Sequence, residues 1–279
     1  MRRAAGALIA LLVIVTSACG GGGVPRSIAV GSSPDTESVL IAHLYAAALR
    51  FYGSAAHVEQ SQDPLIALDA GDVSVVPGFT GRILARFAPD ATARAPAQVY
   101  RDMVSALPEG VVAGDYTESA EDKPALAVTD ATAAQWGGRD LSAAVRHCDS
   151  LRPGQVVDAA PPTVIGTCKL PRPREYADAA ALFAALKAGR INGAWTTTAA
   201  PNIPLELLTL SDRTSLIRAE NLVPLYRRNE LNEQQVLALN EVGGVLDTAA
   251  LAEMRARVAE GTDPGAVATA FIDEHPLGD

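Results

Sequence analysis

Hydrophobic and polar positions along this chain alternate between two periods, and the changes of period mark out βα units. Residues 27–31 form a short apolar run that ends in a polar stretch, 32–38, rich in Ser, Asp and Thr. Such residues cap helix N-termini by accepting backbone N–H groups. Val39, Leu40, Leu44, Ala47, Ala48 and Phe51 then recur at helical spacing, with Gly53 placed as a stop. The result is a strand, a polar loop and a helix whose N-terminus points back at the loop, a corner suited to receiving an anion.

Two later stretches share one pattern. Residues 64–70 predict a helix ended by Gly71, 73–76 a strand, and 77–81 a turn carrying Phe79 and Thr80. Residues 180–188 predict a helix ended by Gly189, 191–194 a strand, and 195–198 a turn carrying Trp195 and Thr197. In α/β architectures, ligands bind beyond the carboxyl ends of the strands. The repetition predicts two α/β lobes that present Phe79 and Trp195 to a shared cleft. The alternative is two unrelated βα units whose aromatic rings cap their own cores.

The polar stretch 114–123, before the strand at 124–128, reads as a crossing from one lobe to the other. A second crossing is expected at 201–204, before a strand at 205–210. From residue 232 to residue 275 the chain reads as helical, with Asp263-Pro264 opening the last helix. The fold class expected is therefore α/β, a two-lobed clamshell with two hinge crossings. Its first lobe takes 27–115 and 205–279, and its second takes 116–204.

The N-terminus adds an address. Arg2 and Arg3 precede an apolar run, 4–15, shorter than the roughly 20 residues needed to span a bilayer. Thr16-Ser17-Ala18-Cys19 and four glycines follow. Small residues before a lone Cys read as a lipoprotein signal peptide, 1–18, cleaved so that Cys19 is acylated and 19–26 serve as a flexible tether. An ordinary secretory signal with an incidental Cys is the alternative. The expectation is a protein outside the cytoplasm, held to the outer face of the cell membrane by this anchor alone, since no later run approaches 18 apolar residues.

Composition then narrows the classes. A net charge of −9 argues against nucleic acid, whose phosphates call for clustered Lys and Arg. Besides Cys19 there are two cysteines, Cys148 and Cys168. In an oxidising compartment they are expected to pair and close the excursion between them. A metal pair with His147 and Asp149 is the alternative. The histidines His43, His57, His147 and His275 are isolated in sequence, and there is no Gly-x-Ser-x-Gly elbow, Walker loop or His-Glu-x-x-His. No enzyme activity, metal or cofactor is expected.

In their order along the chain, several segments resemble the glycine betaine/choline-binding (OpuAC-like) substrate-binding family of ABC importers. They are Ile28-Ala-Val-Gly-Ser32 with Thr36-Glu37-Ser38, Ala70-Gly71-Asp72-Val73, Pro77-Gly78-Phe79-Thr80-Gly81, Ala125-Leu-Ala-Val128, Trp195-Thr196-Thr197 and Val223-Pro224. The resemblance implies a type II periplasmic-binding-protein clamshell that closes on a small solute and hands it to an ABC permease and ATPase. It also implies an aromatic box that holds a trimethylammonium head by cation–π attraction. Carried over position by position, the ligand-binding set is Ser33, Phe79, Thr80, Asp122, Trp195, Thr197 and Glu220.

Several of these positions depart from the family. A Lys is replaced by Ser33, a Glu-Tyr pair by Gly78-Phe79, a Tyr by Pro124 and another Tyr by Glu220, while Asp122 is kept. The reading is a monomeric, lipid-anchored solute-binding protein for an osmoprotectant-like quaternary amine or a related solute. The other reading is a sensing or envelope partner-binding module on the same fold.

Overall fold

The computed structural model describes residues 27–278. The leader, Cys19 and the glycine run lie outside the described residues. No described helix is long and apolar enough to cross a membrane.

The first part of the chain runs β1 (Ile28–Ser32), α1 (Thr36–Phe51), β2 (Ala56–Gln60), α2 (Pro64–Ala70), β3 (Val75–Phe79), α3 (Thr80–Phe87), α4 (Pro96–Ala106) and β4 (Val111–Ala113). The caps act as their residue types dictate. Asp35 accepts from Ser38 N at 2.9 Å to open α1, and Asp63 accepts from Leu65 N and Ile66 N to open α2. Gly71 ends α2 at φ 82°, a left-handed turn that side chains with a Cβ rarely adopt. Helix α1 is the keystone: nine of its residues are buried, among them Leu40, Leu44, Tyr45 and Leu49. Four alanines among them keep the helix slim enough to be covered nearly all round.

The middle of the chain supplies β5 (Pro124–Thr129), α5 (Asp130–Trp136), α6 (Leu141–Arg146), β6 (Pro153–Val156), β7 (Val164–Ile165), β8 (Cys168–Lys169), β9 (Arg174–Tyr176), α7 (Ala179–Lys187), β10 (Gly193–Thr197) and β11 (Leu207–Thr209). The chain then returns with β12 (Leu222–Arg227) and ends in α8 (Glu233–Val245), α9 (Thr248–Ala259) and α10 (Pro264–Glu274).

Two five-stranded sheets result, ordered β2-β1-β3-β12-β4 and β11-β5-β10-β6-β9. In the first, β1 runs parallel to β2 and β3, whereas β12 is antiparallel to both its neighbours. In the second, β5 is antiparallel to β10 and β11, and β6 is parallel to β10 and β9. Each sheet carries apolar clusters of its own. Val30, Val75 and Leu222 pack with α1 in the first; Leu126, Val128 and Trp195 pack with Trp136 and Leu141 in the second. Cys148 and Cys168 form a disulfide beside the β7–β8 hairpin of the second part, as expected.

Three sequence expectations are corrected. The sequence places the strand at 205–210 with the returning first part, but β11 pairs antiparallel with β5, Leu208 opposite Val128, so it completes the second sheet. The return crossing therefore falls after β11, not at 201–204. Finally, Pro77-Gly78-Phe79 and Trp195-Thr196-Thr197 are strand, not turn. Pro77 faces Pro224 and Phe79 faces Leu222 in the β3–β12 ladder, while Trp195 faces Leu126 in the β10–β5 ladder. Cross-strand pairing overrides the local turn preference of Pro-Gly.

The two crossings lie side by side. Glu121 and Asn221 form an antiparallel bridge, and Asp122 N donates to Glu220 O at 2.9 Å.

Candidate functional site

The site is assembled where β3 runs directly into α3, next to the paired crossings. Gly81 is required there by close approach. A Cβ on it would lie 2.5 Å from Ala219 O and 2.6 Å from the Glu220 carboxylate. With no side chain in the way, Glu220 Oε2 accepts from Arg82 N at 2.8 Å and caps α3 from across the fold. Burial pushes the Glu220 carboxyl up to about 7, against the pull of the Arg82 N–H and the Arg82 and Arg218 charges.

Arg82 then reaches over the Phe79 ring, its Cζ 4.3 Å from the centroid. The same guanidinium meets Glu37 Oε2 at 2.8 Å and Asp122 Oδ2 at 3.3 Å. Arg255, from α9, meets Glu37 Oε1 and Asp122 Oδ2, both at 3.1 Å. Glu37 belongs to the first turn of α1, and burial, followed by the neighbouring Asp122 carboxylate, raises its carboxyl above the usual range. Asp122 is 2% exposed and also accepts from Ala199 N at 3.0 Å, just beyond β10. Arg255 donates to Ala199 O at 3.0 Å. The four charged side chains thus join α1, α3, the outgoing crossing and α9 to the exit of a strand in the second sheet.

Beside this network lies a cavity of about 360 Å³, lined by Ser33, Glu37, Pro77, Phe79, Arg82 and Arg86 among others. A second cavity, of about 230 Å³, is lined by Pro124, Val156, Phe183, Trp195, Thr196 and Thr197 among others. It carries no charged residue. The Trp195 indole N–H and the Thr197 hydroxyl are buried without a protein partner.

The structure therefore distributes the seven expected ligand residues unevenly. Ser33 and Phe79 line the first cavity, and Asp122 touches it through Arg82. Ser33 is engaged in the α1 cap, donating from Oγ to Asp35 Oδ2 at 2.5 Å. Thr80 is 1% exposed, and its hydroxyl accepts from Asn221 N at 3.1 Å, tying β3 to the return crossing. Trp195 and Thr197 line the second cavity, and neither cavity contains both Phe79 and Trp195. Glu220 serves α3.

Sequence reasoning passed over Glu37, Arg82 and Arg255 as site residues. Arg82 directly follows the Pro-Gly-Phe-Thr-Gly segment and could have been found there. Arg255 carries no local signal, because only the packing of α9 brings it to Asp122. Among the described residues no group of three or more His, Cys, Asp or Glu is placed to hold a metal ion.

Two mixed sheets joined by paired crossings, with the charged site at the junction, define a type II periplasmic-binding-protein fold. The chain belongs to the family described as the substrate-binding domain of ABC-type glycine betaine transport systems, whose model matches residues 26–274. Solved structures share the fold. A glycine betaine/carnitine/choline ABC transporter protein superposes with a TM-score of 0.74 at 16% identity, covering 89% of this chain and 98% of its own. Apo YehZ from Escherichia coli gives 0.71 at 20% identity, covering 90% and 99%. An ABC-transporter choline-binding protein in complex with choline gives 0.53 at 16% identity, covering 90% and 89%. A search of curated proteins by sequence finds no match.

Proposed function

We propose that this protein is the extracytoplasmic, lipid-anchored receptor of an ABC importer. It takes a small quaternary-amine-type solute between two lobes and delivers it to a permease and an ATPase. The lobes are 27–115 with β12 and the C-terminal helices, and the segment from the outgoing crossing through β11. The observation that carries the solute class is the Phe79 ring beside the Glu37 and Asp122 carboxylates, a combination that stabilises a soft, weakly hydrated cation. The unpartnered Trp195 N–H and Thr197 hydroxyl of the other part supply donors for a polar tail. The anchor is Cys19, and the receptor acts as a monomer.

The experiment is thermal unfolding of the purified chain with glycine betaine, choline, carnitine, amino acids and small sugars. A bound solute at a hundred times its Kd stabilises by about 2.7 kcal/mol, a clear rise in Tm. A rise with the quaternary amines is the expected result. A rise only with other solutes keeps the receptor and changes its cargo. A second reading, a partner-binding module on the same fold, is favoured by one observation: the charges of the site already neutralise one another. No rise with any solute would select it.

A further inference from the structure

The cation that an aromatic face and two carboxylates would attract from solution is already present, and it belongs to the chain. We infer that Arg82 is the residue that sets specificity in this site, an internal cation that a cationic cargo must displace to bind. The inference rests on the solute-binding reading above and adds to it a competitor built into the pocket.

Three observations support it. The guanidinium lies over the Phe79 ring, 4.3 Å from its centroid, at the face a soft cation would use. Its side chain is 48% exposed, whereas the Asp122 side chain it contacts is 2% exposed and Arg255 is 21% exposed. Arg82 is thus the more exposed of the two guanidiniums, and the one with room to swing outward. Arg255 is held additionally by Ala199 O at 3.0 Å, while both bonds from Arg82 to Asp122 are long, 3.3 and 3.4 Å. The backbone at Arg82 stays fixed by Glu220 on its N–H, so side-chain rotation alone releases it, breaking the 2.8 Å contact with Glu37 and the two longer ones with Asp122.

Charge counting gives the valence of the cargo. Glu37 and Asp122 face Arg82 and Arg255, two carboxylates against two guanidiniums. Rotating Arg82 outward leaves one uncompensated negative charge beside the ring, which a single monovalent cation neutralises. An anion or an uncharged sugar gains nothing from that exchange. The affinity for a cation is lowered by the fraction of molecules in which Arg82 is seated.

Isothermal titration of the full chain with choline tests this, using the wild type, Arg82→Ala, Arg82→Met and Arg82→Lys. Both neutral variants are expected to bind choline about tenfold more tightly or better, because the competitor is gone. Arg82→Met keeps the stem that packs on the ring, and it decides the matter if Arg82→Ala proves unstable. Arg82→Lys keeps the charge and should stay near wild type.

Equal or weaker choline binding by folded Arg82→Met overturns the inference, as does a gain of the same size in Arg82→Lys. So does loss of glycine betaine with choline unchanged, which would make Arg82 a holder of the cargo's carboxylate. In these cases a wild type that binds a quaternary amine leaves the solute reading standing. A gain in the variants over a wild type that binds no quaternary amine overturns displacement by such a cargo together with that solute reading, and leaves Arg82 as a plug of the pocket. Silence from every protein removes both.

Discussion

The two cavities are built from opposite materials. The one beside β3 and α3 is ringed by charge, and its carboxylates and guanidiniums pair with one another across four elements of the fold, although Glu37 Oε1 is left with ion-pair contact and no hydrogen bond. The one beside β10 is apolar and uncharged, yet it leaves an indole N–H and a hydroxyl buried without partners. In the first region, polar groups hold the fold together, and removing one strands the others. In the second, apolar packing does that work and the polar atoms are spare. A buried ion pair broken on one side leaves an uncompensated charge, whereas an unpaired hydroxyl costs stability merely by being there.

The comparison is most easily broken at Asp122. It accepts from Arg82 and the Ala199 N–H and pairs with the Arg255 guanidinium at once. Asp122→Ala is expected to lower stability by about 3–5 kcal/mol, as loss of one buried ionic partner does. Urea denaturation measures it, and a loss below about 1 kcal/mol would mean that the network does not brace the fold.

A smaller effect separates the regions by pH. The Glu220 carboxyl is raised by burial from 4.5 to about 7 in the folded protein. Between those values the folded state holds a proton that the unfolded chain has released. Stability from this group is therefore greatest below the lower value, falls as pH rises through the window, and is level above it. Glu37 is shifted in the same direction and adds to the slope. Glu220→Gln should lose less stability than wild type between pH 5 and pH 8 in parallel urea titrations. An identical loss in both proteins would detach Glu220 from the charged region's behaviour.

The least effect is expected in the uncharged region. Thr197→Val replaces a hydroxyl that finds no partner with a methyl of the same shape. Its urea midpoint should stay level or rise slightly. A fall of more than about 1 kcal/mol would show the hydroxyl to be satisfied by something the protein itself does not supply, such as an ordered water.

The sequence was most legible where one residue type does one local job. Asp35 and Asp263 cap the helices that follow them, and the apolar periods of α1 and α8–α10 mark buried faces. It misled where a partner strand decides the outcome. Pro77-Gly78 carries every local mark of a turn, yet β12 holds it as strand, and β11 joins whichever sheet offers a pairing edge. The candidate site was half legible. Phe79 stands in a short recognisable segment and Asp122 and Glu220 were reached by the resemblance alone, but the roles of Asp122 and Glu220 follow from Arg82 and Arg255. Those contacts exist only once α3 and α9 are packed, and no spacing rule joins residues so far apart in the chain.

The bridge between Glu121 and Asn221 has a mechanical consequence. Two crossings joined side by side, by this bridge and by Asp122 N on Glu220 O, behave as a strip: they resist shear and torsion together but flex about one line. Whatever displaces one sheet relative to the other must bend both crossings at once, along that line. The two crossings are thereby coupled, so that a substitution which bends one is felt in the other.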